Sequence, residues 1–241
     1  ALAAWIVVDD ADGAVLAASK PNRRISIASV TKLMTAYLTL RAGIEDRAAT
    51  VPAQATTIGE STADLRTGQQ ISVRSLLDAL MVPSANDAAE TLAFAVAGSE
   101  RAFVARMNRT ARRLGLRNTH YVQPYGLDRE GQYSSAADQV KLARLLMHDA
   151  LIRQIVVQRA VVVNGITFQA RNTLLGIYPG LDGVKTGHTS EAGWCLVATA
   201  QQNGHRLYVG AFGAPDEATR NQAVAQLLDL DLHFEPDRGQ P

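Results

Sequence analysis

The sequence contains a single cysteine, Cys195, which excludes an internal disulfide. The residues around it are apolar, which indicates a small buried side chain rather than a reactive thiol. Histidine is also scarce, and the five histidines show no metal-ligand spacing (His120, His148, His188, His205 and His233). We therefore expect neither a metal site nor another cofactor.

Long apolar runs are missing as well, since no stretch reaches the roughly 18 residues that a membrane helix needs. No signal peptide is visible, so the chain itself encodes no membrane association. The formal net charge is only +1, which gives no electrostatic reason to expect nucleic acid as a partner. A hydrophobic content of 47% in 241 residues is sufficient for one large domain or two closely merged subdomains.

Turn and helix signals divide the chain into strands at both ends and helices between them. Three dipeptides are typical of hairpin turns between β-rich runs: Asp12-Gly13, Asn164-Gly165 and Asn203-Gly204. Helical patterns cover 72–115 and resume at a capping box near Ser134. Val156 to Val163 reads as a strand, 217–230 as an amphipathic helix and 234–241 as a frayed tail. This order predicts an α+β fold with one sheet assembled from distant parts of the chain.

The segment after the first hairpin places Ser29 at a predicted helix start, three residues before Lys32. Residues three apart share a helix face, so the amine can reach the hydroxyl. A serine is a poor nucleophile until a base takes its proton, and a desolvated lysine can be that base. Taken alone, Ser29 is more often a helix cap. Lysine occurs only four times in the chain, which makes this pairing more informative.

Two further motifs follow in order, Ser84-x-Asn86 on a turn between helices and Lys185-Thr186-Gly187 entering a strand. Each is weak alone, because the first is compatible with a plain turn in which Asp87 caps the next helix. Lys185 by itself is compatible with an ordinary charge at a strand edge. The order and context of all three motifs are those of the serine penicillin-recognising enzymes.

The chain resembles the low-molecular-mass D-alanyl-D-alanine carboxypeptidases, the penicillin-binding protein 5-like branch of that superfamily. Three segments carry the resemblance, which extends over nearly the whole chain: 27–35, 80–89 and 182–189. One departure is Tyr125, where many relatives have His or Asn. A second domain and a C-terminal anchor, which several relatives carry, have no visible counterpart.

The resemblance implies a β-lactamase/transpeptidase-like fold, an antiparallel sheet flanked by helices. The whole of 1–241 would be one penicillin-binding catalytic domain. Its all-helical subdomain would span approximately 50–150, and its sheet subdomain would combine 1–49 with 151–235.

The resemblance also implies the catalytic roles. Ser29 would attack a peptidoglycan stem peptide ending in D-Ala-D-Ala, with Lys32 accepting its proton. Ser84, held by Asn86, would relay a proton to the leaving amine, and Lys185 would keep the pocket positive. Penicillins and other β-lactams would acylate the same serine.

Substrate binding is assigned by the same resemblance to the third motif and one arginine. The N–H groups of Ser29 and His188 would form the oxyanion hole. Thr186 and Thr189, on either side of Gly187 and His188, would bind the terminal carboxylate together with Arg171. A location outside the bacterial cytoplasmic membrane follows from a peptidoglycan substrate.

Three other functions remain open at this point. A β-lactamase of class A needs a glutamate that activates the deacylating water, and 114–128 contains none. An endopeptidase acting on D-Ala-linked cross-links needs the same acylation and is not separated by sequence. A non-catalytic wall-binding module would retain ligand binding without a covalent adduct.

Overall fold

The computed structural model describes residues 1–232, so the predicted tail at 234–241 lies outside the described residues. The strands are β1 (Ala4–Asp9), β2 (Val15–Ser19), β3 (Ala48–Thr50), β4 (Gln70–Ser72), β5 (Ala160–Val163), β6 (Ile166–Gln169), β7 (Leu181–Thr189), β8 (Gly193–Gln202) and β9 (His205–Ala214). The helices are α1 (Lys32–Ala42), α2 (Val73–Met81), α3 (Asn86–Ala97), α4 (Glu100–Arg113), α5 (Ala136–Leu146), α6 (Ala150–Val156) and α7 (Glu217–Leu232). No helix among these residues is both long and apolar enough to cross a membrane.

One antiparallel sheet joins the two ends of the described chain. Its strand order is β2-β1-β9-β8-β7, and Trp5 of β1 pairs with Ala211 of β9. The predicted α+β fold, with one sheet built from distant segments, is therefore confirmed. β7 is an edge strand of this sheet, so the side that does not pair with β8 is available to contact the helical part of the molecule.

Alternation along β8 divides the core between the two faces of the sheet. Cys195 and Val197 belong to the larger core with the helices. Leu196 and Ala198 belong to a smaller core that Val224 of α7 completes. Cys195 is fully buried, as its apolar neighbours predict.

Serine caps begin three of the helices. Ser72 accepts a hydrogen bond from the Ser75 N–H, Ser99 from Ala102 and Ser135 from Asp138. The helix start predicted near Ser134 is therefore at α5, and its N-cap is Ser135 rather than Ser134. These caps satisfy N–H groups that have no partner within the helix.

Three local predictions differ from the structure. Ser29 is not a side-chain cap, because it lies in a 3₁₀ turn (Ala28–Thr31) ahead of α1 and makes no cap hydrogen bond. Val156 ends α6 rather than starting a strand, because Asp149 caps that helix and Ile152, Ile155 and Val156 form its buried face. The range 50–150 is not purely helical, because β4 pairs with β3. The division into subdomains remains a prediction.

Candidate active site

The 3₁₀ turn and the first residue of α1 bring Ser29 and Lys32 into contact. Lys32 Nζ lies 2.9 Å from Ser29 Oγ, which confirms the predicted reach. It also lies 2.7 Å from Asn86 Oδ1 and 2.6 Å from the Tyr125 carbonyl oxygen. Lys32 is fully buried and Ser29 half-buried, so the hydroxyl faces the cavity while the amine lies beneath it. All three partners of the amine are neutral.

Burial lowers the pKa of Lys32 well below its ordinary value, because the ammonium loses its hydration there. The Lys185 cation lowers the pKa further, whereas Asp87 and Glu60 raise it. The net effect is that the Lys32 amine loses its proton more readily than a lysine in water. A neutral amine can donate to Asn86 and Tyr125 and still accept the Ser29 proton with its lone pair.

Ser84 and Lys185 form the second contact of the site, between the helical part and the edge strand β7. Lys185 Nζ donates to Ser84 Oγ at 2.8 Å and to the Thr186 carbonyl oxygen at 2.9 Å. Burial, followed by the charges of Arg171 and Arg220, lowers the pKa of Lys185 to about 7. Ser84 adopts a left-handed backbone with φ of 70°, which is uncommon outside glycine and indicates a constrained residue.

Asn86 and Asp87 fasten the loop at 59–65 to the site. Asn86 Nδ2 donates to the Gly59 carbonyl oxygen at 3.0 Å. The Asn86 backbone N–H donates to the Ser61 carbonyl oxygen at 2.7 Å. The Asp87 carboxylate accepts the N–H groups of Ala63 and Leu65. Asp87 lies inside the first turn of α3, whose N-cap is Ala85. Its carboxylate also accepts the Ala88 N–H of that turn, so it joins the loop to the start of the helix.

Two glycines allow close approach to the nucleophile. A Cβ on Gly187 would lie 2.9 Å from the Ile27 carbonyl oxygen and 3.0 Å from the Ser29 nitrogen. A Cβ on Gly126, whose φ is 99°, would lie 2.1 Å from the Ala28 carbonyl oxygen. Glycine is thus required for β7 and the 126 loop to pack against the turn that carries Ser29.

The hydroxyls of Ser29 and Ser84 face one cavity of about 330 Å³. It is lined by Ser29, Glu60, Ser61, Ser84, Ala170, Arg171, Thr173, Thr186, Gly187, His188, Trp194, Glu217 and Arg220. The structure therefore brings together the predicted residues of all three motifs, with Lys32, Asn86 and Lys185 buried directly behind the cavity wall.

Comparison with known proteins agrees with this geometry, since the model of the D-alanyl-D-alanine carboxypeptidase family of serine peptidases matches residues 1–216. The chain belongs to this family. It is 34% identical to the D-alanyl-D-alanine carboxypeptidase DacF of Bacillus subtilis, over 93% of this chain and 60% of that protein. It is 37% identical to DacD of Escherichia coli, over 93% of this chain and 61% of that protein.

The fold is likewise that of the family. The structure of a serine-to-alanine mutant of the Streptomyces K15 DD-transpeptidase superposes with a TM-score of 0.90 and 29% identity. The match covers 95% of this chain and 96% of that one. The chain spans about three fifths of the length of the curated relatives.

Thr189 is the one predicted binding residue of the third motif that does not line the cavity. Its hydroxyl donates to Asp128 Oδ1 and accepts the Ala192 N–H. The second Asp128 oxygen accepts the Glu191 N–H. Thr189 and Asp128 thus hold the turn after β7, and the contact of Thr189 with a substrate carboxylate remains a prediction.

Arg220 is the main residue that sequence reasoning missed. It lies on α7, is 1% exposed, and its guanidinium lies 5.6 Å from the ring centroid of Trp194. It donates to Glu217 Oε1 at 2.9 Å. No sequence signal distinguishes Arg220 from the other polar residues of an amphipathic helix, because only the position of α7 on the sheet places it at the cavity.

Proposed function

We propose that this protein is a serine DD-carboxypeptidase that removes the terminal D-Ala from peptidoglycan stem peptides through an acyl-enzyme on Ser29. The observation that carries the proposal is the contact of Ser29 Oγ with the buried Lys32 amine at 2.9 Å, at the wall of a cavity with two arginines. A nucleophile and a base within hydrogen-bond reach are the minimum requirement for acyl transfer.

Acylation begins when Lys32, in its neutral form, accepts the Ser29 proton while Oγ attacks the carbonyl of the penultimate D-Ala. Burial favours that form because it lowers the pKa of the amine. Asn86 and the Tyr125 carbonyl hold the amine in place through two hydrogen bonds. The N–H groups of Ser29 and His188 receive the developing oxyanion. Each such donor is worth about 3–4 kcal/mol of transition-state stabilisation.

Expulsion of D-Ala requires a proton on the leaving nitrogen. Ser84, bonded to Lys185, is the group that passes this proton, and Lys32 replenishes it. The amide C–N bond breaks, and the acyl group remains as an ester on Ser29. Water then cleaves the ester and returns the proton to Ser29.

The terminal carboxylate is recognised by charge. Arg220 is buried and Arg171 exposed, and both guanidiniums face the cavity beside the Thr186 hydroxyl. An arginine–carboxylate contact at a partly desolvated site is strong and directional. The carboxylate of a penicillin would use the same groups, so β-lactams acylate Ser29 and leave slowly. A peptidoglycan substrate places the protein outside the bacterial cytoplasmic membrane.

The proposal is tested by intact-mass measurement of the protein after addition of benzylpenicillin, followed over time. We expect one adduct, which digestion places on Ser29, and slow release. Ser29→Ala is the matched variant, which should form no adduct and keep its melting temperature. An adduct that survives in Ser29→Ala would remove this residue from the mechanism.

Peptide assays separate the remaining alternatives. Release of D-Ala from a pentapeptide supports the carboxypeptidase, and preferential cleavage of a cross-linked dimer would support an endopeptidase. Fast loss of the penicilloyl adduct would indicate a β-lactamase. Ligand binding without any adduct would indicate a non-catalytic module. An added amine acceptor distinguishes hydrolysis from transfer, the activity for which the Streptomyces enzyme is named.

A further inference from the structure

The charged residues of the chain are unevenly distributed, although its net charge is only +1. Six arginines and no acidic residue occur between Glu100 and Asp128. Five of these arginines lie on α4 and are exposed: Arg101, Arg106, Arg109, Arg112 and Arg113. The sixth, Arg117, follows the helix. The exposed Lys141 of α5 lies beside the same end, because its Nζ is 3.3 Å from the Cβ that an alanine at Gly115 would carry.

The five arginines of α4 share one side of the helix, which we call the arginine face. At 3.6 residues per turn they fall within an arc of about 140°, and they span about 18 Å along the helix axis. The buried residues of α4, among them Phe103 and Met107, occupy the opposite side. The arginine face is therefore turned to solvent along its whole length.

No acidic side chain offsets the charges of the arginine face. None of its five arginines forms an ion pair with a residue in the described range 1–232. Arg106 donates to the Val96 carbonyl oxygen, which is neutral. Asp138, a carboxylate that contacts the segment after α4, is buried and accepts the Asn118 N–H and the Thr119 hydroxyl.

Helix stability does not explain the arginine face. Arg109 has arginines at i−3, i+3 and i+4, and like charges at these spacings destabilise a helix. Arg101 is a cation in the first turn, where the helix dipole favours an anion. A local cost without a local compensation is typical of a functional surface. The charges therefore point to a partner that carries many negative groups.

The shape of the arginine face indicates an extended partner. A helix face is convex, and none of the five arginines lines the cavity that contains Ser29. On α4 no large apolar side chain is exposed, whereas helices that lie on a membrane bury such side chains in it. A polymer that carries repeated anionic groups is therefore the partner that fits.

The arginine face lies beside the active site and not in it. Only two residues join α3 to α4, and so short a connection makes the two packed helices antiparallel neighbours. The end of α4 at Arg113 therefore lies toward the end of α3 that carries Asn86, the residue that holds Lys32. A polymer that places one branch in the cavity can thus reach the arginine face with another.

The substrate assigned above is such a polymer, and this inference rests on that proposed function. Each stem peptide that ends in D-Ala-D-Ala carries a terminal carboxylate, and removal of one D-Ala leaves a new carboxylate on the shortened peptide. A peptidoglycan strand therefore presents a series of carboxylates before and after the reaction, and guanidiniums bind carboxylates through paired hydrogen bonds. We propose that the arginine face is a docking surface for the peptidoglycan strand, which binds carboxylates of neighbouring stem peptides while one stem peptide occupies the cavity.

Docking at the arginine face should raise the rate on the polymer alone. Binding of one part of the strand increases the effective concentration of its other stem peptides at the cavity. A free stem peptide has no second branch, so its hydrolysis does not depend on the arginine face.

The experiment compares D-Ala release from two substrates with the same stem peptide, a free pentapeptide and uncross-linked peptidoglycan freed of attached phosphate polymers. In Arg101→Gln/Arg109→Gln, we expect kcat/KM on the polymer to fall by about two- to ten-fold at low salt, the range that two exposed ion pairs support. The value on the free pentapeptide should stay unchanged. Added salt should reduce the wild-type rate on the polymer toward that of the variant.

Arg41→Gln/Arg47→Gln is the matched control, because both arginines are exposed, lie outside α4 and the cavity, and account for the same loss of charge. It should behave as the wild type on both substrates. The melting temperature of Arg101→Gln/Arg109→Gln should not fall, because the change removes like-charge neighbours from the helix.

An unchanged rate on the polymer in Arg101→Gln/Arg109→Gln would overturn the inference, and so would an equal loss on pentapeptide and polymer. Cosedimentation with vesicles of phosphatidylglycerol and phosphatidylcholine is a second measurement. Vesicle binding that this variant loses, with an unchanged rate on the polymer, would assign the arginine face to a membrane instead. A wild-type protein that releases D-Ala from neither substrate would refute the proposed function, and the docking surface would fall with it.

Discussion

Substitution of Gly126 by alanine should displace the turn that carries Ser29, including its backbone N–H, without changing the chemistry of any side chain at the site. The added Cβ would lie 2.1 Å from the Ala28 carbonyl oxygen and 2.9 Å from the Ser29 nitrogen. An ordinary carbon–oxygen contact is about 3.3 Å or longer, so the turn must move by roughly 1 Å. Strain at the left-handed φ and overpacking together should cost about 3–5 kcal/mol.

Gly43→Ala is the matched control for the backbone strain alone. Gly43 has a φ of 62°, and nothing lies within 4 Å of its added Cβ. We expect a cost of about 1–2 kcal/mol there, or roughly 2–8 °C in melting temperature for a domain of this size. Gly126→Ala should lose roughly 6–20 °C on the same scale.

The decisive measurement is the rate of acylation by a fluorescent penicillin below both melting temperatures. A displacement of 1 Å at a reacting group can cost about 100-fold, and we expect a loss of that order in Gly126→Ala. Gly43→Ala should label at the wild-type rate. If Gly126→Ala also labels at the wild-type rate while folded, the packing of the 126 loop does not position Ser29, and the reasoning is refuted.

Two further predictions concern charge. Arg220→Gln should reduce kcat/KM for carboxylate-ended peptides by about 10- to 100-fold, since a hydrogen bond to a charged group is worth about 1.5–3 kcal/mol; Arg171→Ala, at an exposed residue, should cost less. In both variants neutral esters should be less affected, and equal losses would contradict carboxylate recognition. The acylation rate should rise with pH as Lys32 loses its proton, with a midpoint well below 10.5 because burial lowers that pKa. A midpoint near 10 in a pH–rate profile would show that burial does not lower the pKa of the base, and would refute this part of the reasoning.

The local parts of the site were predictable because their geometry is set by sequence spacing. One helical turn separates Ser29 from Lys32. Their side chains form the predicted hydrogen bond even though that turn is 3₁₀ rather than α. Hairpin dipeptides such as Asn164-Gly165 mark their turns because both residues adopt positive φ.

The parts that depend on distant packing were not predictable. Arg220 reaches the cavity only because α7 packs on β8 and β9. Glu60 lies in a segment that reads as a plain loop, and its place depends on two hydrogen bonds from Asn86. Asp128 belongs to an irregular stretch, and its partner Thr189 is 61 residues away.

The hydrogen bond between Lys185 and Ser84 crosses from the sheet edge to the helical side, whereas Ser29, Lys32, Ser84 and Asn86 are all carried on that helical side. A shear of β7 against the helices would therefore lengthen this bond and displace the His188 N–H, while leaving the nucleophile and its base in contact. In the proposed mechanism such a protein would keep its nucleophile and base but form no acyl-enzyme from a peptide, because the ester on Ser29 forms only when the departing amine is expelled. The contact between β7 and the helices would then decide whether attack on the carbonyl leads to acyl transfer.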